Sequence, residues 1–219
     1  PNSPRYPGAP ARLSATPWHL RFEASAARAH TTFTHKKAGR IVKSSPIPNS
    51  DARGPLAGLR VLALTQVWAG SYCAQQLALL GAEVIKIEAR RRPDQWRGGY
   101  SMSILPALRQ RPEAQHGWNC HPSFNSGNLN QLGLTLDLQT EQGIDLLRTL
   151  LHSTDIVVEN FTPRVLNSLG IDYETMRTIR PDIILCSISG FGATGPYANR
   201  PSNGGTIEPA SGMSSLLGF

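Results

Sequence analysis

The residues able to do chemistry fall in three short segments, each directly after an apolar run: Gln66-Val67-Trp68-Ala69-Gly70-Ser71, Glu159-Asn160-Phe161-Thr162-Pro163, and Ser189-Gly190-Phe191-Gly192 through Gly195-Pro196-Tyr197. These are groups that hold a ligand. Asn160 can hydrogen-bond one while Phe161 packs against its apolar body, and a helix opening after the first segment would offer free N–H groups to a phosphate. Glu88 lies eighteen positions after Gly70, where a dinucleotide site keeps its ribose-binding acid. The first segment, however, has one glycine where G-x-G-x-x-G needs three for close approach to a pyrophosphate. NAD is therefore disfavoured, and Glu88 is expected to be a solvated strand end. No G-x-S-x-G elbow occurs, and Ser187, Ser189 and Ser211 have no evident His–Asp partners. Asp137, Glu159 and Glu208 are expected to cap or to hydrogen-bond at strand ends. His116, Cys120 and His121 stand close together, but a zinc site needs about four ligands, so no metal is expected. Residue types and spacing thus lead to a nucleotide-like ligand.

The elements that must position these segments alternate. Leu59 to Thr65 is a short apolar strand, Ser71 is a candidate N-cap, and Tyr72 to Leu80 has a helical pattern closed by Gly81. Glu83 to Glu88 alternates as a second strand, which completes a strand–helix–strand unit with parallel strands. Residues 89–130 are rich in Arg, Pro, Gly and Asn and are expected to form a long functional loop. Leu132 to Leu138 is strand-like, and Thr140 caps a helix running to about His152. Asp155 to Val158 is a buried strand ending at Glu159, and Pro163 is expected to turn the chain away. Asp172 caps a short helix to about Ile179, Ile183 to Ser189 is a further strand, and a helix is expected to begin in the last dozen residues. The sum is an α/β fold with a Rossmann-like, doubly wound, mostly parallel sheet, whose ligands sit beyond the carboxyl ends of the strands.

Of the 22 basic and 15 acidic residues, nine and two fall in residues 1–54, leaving thirteen of each in 55–219. The whole net charge of +7 therefore belongs to a Pro-, Ala-, Ser- and Arg-rich leading segment. It is expected to be an irregular basic linker, because no aromatic-interleaved patch of the kind a nucleic-acid surface uses accompanies the charge. Neither nucleic acid nor a membrane is an expected partner, since no apolar run approaches the roughly 20 residues of a spanning helix. Cys73, Cys120 and Cys186 form no C-x-x-C pair, so reduced thiols and a cytoplasmic location are the default.

Four stretches carry a family likeness: PLAGLRVLALTQVWAGSYCAQQLALLGAEVIKIEA at 55–89, N-x-N…LTLDLQTEQG at 128–143, DIVVENFTPRVLNSLGIDYETMR at 155–177 and RPDIILCSISGFGATGPYANRP at 180–201. Together they resemble the class III coenzyme A-transferases, the family of formyl-CoA transferase, carnitine CoA-transferase and α-methylacyl-CoA racemase. The resemblance covers essentially all of 55–219. It implies acyl-CoA and a carboxylic acid acceptor as substrates, no permanently bound cofactor, and an interlocked homodimer. It further implies that Gln66, Val67, Trp68 and Ala69 contact the adenosine diphosphate part of CoA. Leu136, Asn160 and Phe161 would line the same site, and Arg90 would reach a phosphate. In this family an aspartate attacks the thioester and carries the acyl group as an anhydride. The resemblance places that aspartate beyond Phe219.

There are departures. Gln131-Leu132 stands where many relatives have a basic pair, and Gln139 where some use lysine for phosphate. Ser202-Asn203-Gly204-Gly205 lacks the His–Asp expected of a racemase, which favours a transferase over that alternative. A non-catalytic CoA-binding module is the alternative from another class. Residues 7–31 resemble the tail of the same family, which implies a tandem protein with one unit ending in 1–54 and a second beginning near residue 55. Surface meant for other segments would leave 55–219 prone to aggregate on its own.

Overall fold

The computed structural model describes residues 54–97 and 121–217. Five strands, β1 (Arg60–Leu64), β2 (Glu83–Glu88), β3 (Gln131–Thr135), β4 (Ile156–Glu159) and β5 (Ile184–Ser187), form one parallel sheet in the order β3-β2-β1-β4-β5. Both faces of the central strands are covered, so they read as nearly continuous apolar runs instead of alternating ones. On one face Val61, Ala63, Val84 and Val158 meet Ala74 and Ala78 of helix α1 (Ala69–Leu79). Alanine on both sides of this contact lets the helix lie close to the sheet. The other face carries the larger residues Leu62, Leu64, Ile85, Ile87, Leu134 and Val157. Against it pack Leu147, Leu150 and Leu151 of α3 (Glu141–Leu151), Leu166 of α4 (Arg164–Ser168), and Met176 of α5 (Tyr173–Ile179).

Local chemistry accounts for most boundaries. Thr140 caps α3 by accepting the Gly143 amide at 3.1 Å, and Asp172 caps α5 by accepting that of Thr175 at 2.9 Å. Gly81 ends α1 with φ +103, a conformation that favours glycine. Gly143 has a different reason, since a Cβ there would lie 1.9 Å from the Asp137 carbonyl oxygen. Gly143→Ala is therefore expected to destabilise the fold by about 1–3 kcal/mol or more. Chemical denaturation checks this, and a parental midpoint would contradict it.

Four sequence expectations are corrected. α1 begins at Ala69, with Trp68 at its cap position and no side-chain capping bond. Ser71 is instead buried in the first turn, where its hydroxyl meets a charged side chain from β2. The 89–130 stretch includes a 3-10 turn at Gln95–Arg97 and helix α2 (Pro122–Gly127). Pro163 does not simply turn the chain away; it occupies the cap position of α4. Glu88 is buried, because an opposite charge waits for it nine positions later. Near the end, α6 (Gly204–Ala210) was not anticipated, and α7 (Met213–Leu217) is the helix expected in the last dozen residues. The expectations for residues 1–53, His116 and Cys120 lie outside the described residues.

Candidate functional site

In the order β3-β2-β1-β4-β5 the chain reverses direction of travel between β1 and β4. Open parallel sheets have their ligand crevice at the carboxyl ends of such neighbours. The β1 end runs into Gln66, Val67 and Trp68, and the β4 end into Asn160 and Phe161. One side chain joins them. The Asn160 amide oxygen accepts the Gln66 N–H at 2.8 Å, while its amide nitrogen donates to the Gln66 carbonyl at 2.7 Å. Gly70 makes this approach possible, since a Cβ there would sit 2.8 Å from Thr65 Cγ2 and 2.9 Å from Asn160 Cγ. The single glycine of the segment thus serves helix–strand packing.

Val67 has φ +60, a left-handed conformation that a β-branched residue adopts only when its surroundings impose it. Its N–H donates to Asp94 Oδ1 at 3.0 Å. Asp94 is 0% exposed, and it also accepts from the Trp96 N–H at 2.9 Å and from Lys86 Nζ at 2.8 Å. Lys86, 2% exposed, donates further to the Thr65 carbonyl at 2.9 Å and to Ser71 Oγ at 3.0 Å. One ammonium group therefore touches both ends of the β1–α1 loop. Beside it Glu88 takes a two-pronged grip from Arg97, Nε at 2.8 Å and Nη2 at 2.7 Å, and accepts the Asp94 N–H at 3.0 Å. Burial alone would raise the Glu88 carboxyl. The Arg97 hydrogen bonds and charge, helped by Lys86 and the Asp94 amide, outweigh burial and hold it below the ordinary value of 4.5. The Arg97 guanidinium lies 3.5 Å over the Phe124 ring of α2.

The rim of the crevice is aromatic. Trp68 is 66% exposed, with its ring centroid 5.8 Å from that of Trp96 at a 47° tilt. Ala69 opens α1, whose first turn carries no acidic residue that would oppose an anion. Phe161 is half-buried against the core, and its N–H donates to Glu159 Oε2 at 2.7 Å. Leu136 sits apart: its side chain is in the main core, and its N–H donates to the Glu88 carbonyl at 2.9 Å. Arg90 is exposed on the turn after β2. Its neighbour Arg91 pairs with Asp137, and that hydrogen bond, with the Gln139 amide, holds the Asp137 carboxyl below its usual range. Gln131 is buried beneath the start of α1, donating to the Ser71 carbonyl at 3.2 Å. Among the described residues no His, Cys, Asp or Glu group is arranged to hold a metal, and no helix is long and apolar enough to cross a membrane.

Sequence reasoning missed Lys86, Asp94, Trp96 and Arg97. A signal was present: in EVIKIE, Lys86 and Glu88 share one face of the strand's apolar stretch after Glu83, and charges buried in a sheet require partners.

Three comparisons bear on this site. Residues 56–219 match the model of CoA-transferase family III. The chain is 36% identical over 164 residues to succinate–glutarate CoA-transferase of Agrobacterium fabrum, covering 75% of this chain and 39% of that protein. It is 33% identical over 165 residues to formyl-CoA:oxalate CoA-transferase of Escherichia coli, covering 75% and 36%. Among solved structures, a CAIB/BAIF family protein from Brucella suis superposes with a TM-score of 0.62 at 36% identity, covering 73% of this chain and 39% of that one. The chain thus spans well under half the length of these relatives.

Proposed function

The chain belongs to CoA-transferase family III, and on that premise we propose that it is the CoA-holding part of an acyl-CoA:carboxylic acid CoA-transferase. The observation that carries the proposal is the Asn160–Gln66 clamp, which closes the crevice between β1 and β4 with its amide bonds at 2.7 and 2.8 Å. Gln66, Val67, Trp68 and Ala69 are proposed to meet the adenosine diphosphate half of CoA. Trp68 offers a ring face to the base, and the start of α1 offers N–H groups to the phosphates. Phe161 would pack on the apolar part of the ligand, and Arg90, exposed on its turn, would approach a phosphate. Leu136 would act from behind, through the backbone that it anchors. Asn160 orders the loop through its side chain and so contributes to binding by placing Gln66.

The names of the relatives favour a transferase over a racemase. The covalent carboxylate of the anhydride mechanism is proposed to be an aspartate beyond Phe219. We place the CoA-binding unit at 55–219, after a basic segment that is the tail of a preceding unit, in a cytoplasmic homodimer. Support for a covering partner comes from β5, an edge strand among the described residues, where Ile184 is 58% exposed, and from α6 and α7, which bury no residue. The test incubates the intact protein with succinyl-CoA labelled in its CoA part and a panel of dicarboxylic acids. Label in a new CoA thioester is the expected result, and hydrolysis alone or no turnover with any acceptor would overturn the proposal.

A further inference from the structure

The β1–α1 loop is held from two sides, and only one hold has a counterpart in the ligand-binding roles above. Asn160 fixes Gln66 from β4. From the other side Asp94 fixes Val67, and nothing about Asp94 places it against a ligand, since it is wholly buried. Its four polar contacts point inward: the Val67 and Trp96 amides, the Lys86 ammonium, and its own N–H given to Glu88. Lys86 in turn grips Thr65 and Ser71, the residues on either side of the loop. The span from 65 to 71 is therefore built around one buried ion pair, with a left-handed valine at its centre.

A left-handed valine relaxes to ordinary backbone angles unless something holds it, and an amide hydrogen bond to a buried, charge-paired carboxylate is a strong hold. Relaxation would rotate the peptide between Gln66 and Val67, and with it the direction of Trp68. Asp94 also fixes Trp96 by its N–H, so one carboxylate sets both rings of the rim pair. We infer that Asp94, paired with Lys86, is a positioning residue for CoA binding: it keeps Val67 left-handed, so that Gln66 and Trp68 face the ligand before it arrives. The inference rests on the proposed CoA site.

Three variants of the intact protein separate this from a purely structural role. Removing Asp94 alone strands the Lys86 ammonium in the interior and risks the fold. The test variant is therefore Lys86→Met with Asp94→Leu, which deletes both charges together and is the kind of replacement that often leaves stability intact. It is expected to raise the CoA dissociation constant about tenfold or more, because the loop must then be ordered at the moment of binding. Adding Val67→Gly to that background is expected to recover part of the loss, since glycine takes the left-handed conformation without strain. Val67→Gly alone is expected to weaken binding modestly by losing the valine contact. Non-additivity of this sign is something that simple destabilisation would not produce. Calorimetric titration with CoA reads all of them. Binding within twofold of the parent in the Met/Leu variant, or no recovery on adding glycine, overturns the role of Asp94 while leaving the CoA site standing. A parent that does not bind CoA overturns both.

Discussion

Replacing Arg97 by alanine is expected to destabilise the protein by about 3–5 kcal/mol. The Arg97 and Glu88 side chains are each 4% exposed, and the guanidinium meets both carboxylate oxygens. Removing it leaves a carboxylate in the interior whose named remaining donor is the Asp94 amide. It also removes the plane that lies on the Phe124 ring, and with it a tie between β2 and α2. The companion variant, Arg97→Leu with Glu88→Leu, is expected to regain most of the loss, because an apolar pair can fill the same space without desolvating charge. Urea denaturation of the two variants and the parent checks this, and an Arg97→Ala midpoint within about 1 kcal/mol of the parent would contradict it.

The same pair sets a pH window. Glu88 is held below 4.5 in the folded protein, so the unfolded chain takes up its proton first as pH falls. Its contribution is complete above about pH 4.5, declines below that, and is gone once pH has passed through the lowered folded value. The acid limb of the stability curve should therefore be shallower in the double-leucine variant.

Asn160→Ala is expected to weaken CoA binding about tenfold or more while lowering stability by about 1–3 kcal/mol. Both polar groups of the Gln66 backbone lose their partner, at 2.8 and 2.7 Å, and the β1–α1 loop loses this tie to the end of β4. Asn160→Asp discriminates further. An aspartate oxygen can still accept the Gln66 N–H, but its second oxygen faces the Gln66 carbonyl and brings a negative charge to a place proposed for phosphates. It should therefore bind CoA as poorly as alanine or worse, while retaining more stability. Equal CoA affinity in all three proteins would show that the clamp does not govern the site.

The periodic elements were legible in the sequence because each strand is a short apolar run closed by turn residues, and because Thr140 and Asp172 announce their helices. Parallel pairing was legible, since alternating strands and helices favour it, and the segments 66–69 and 160–161 do lie at strand ends. What was not legible depends on distance in the sequence. Ser71 has the chemistry of an N-cap, but the ammonium of Lys86, fifteen positions away, claims its hydroxyl inside the helix. Glu88 ends a strand, and such acids are commonly solvated; only Arg97 and Asp94, folded back over it, make it an interior group. The left-handed Val67 has no signature at all, because its conformation is imposed by Asp94 and not preferred by valine. α4 and α6 are too short to show a period, and Pro163 at a helix start looks the same as proline in a turn.

The most direct test of the central claim is a titration of isotopically labelled intact protein with CoA, following backbone amide resonances. CoA at the carboxyl ends of β1 and β4 should perturb Gln66, Val67, Trp68, Ala69 and Asn160 most strongly, with the Trp68 indole among them. Saturable shifts confined to other parts of the fold, such as α3 or α5, or no shifts at all, would contradict the assignment of this crevice to coenzyme A.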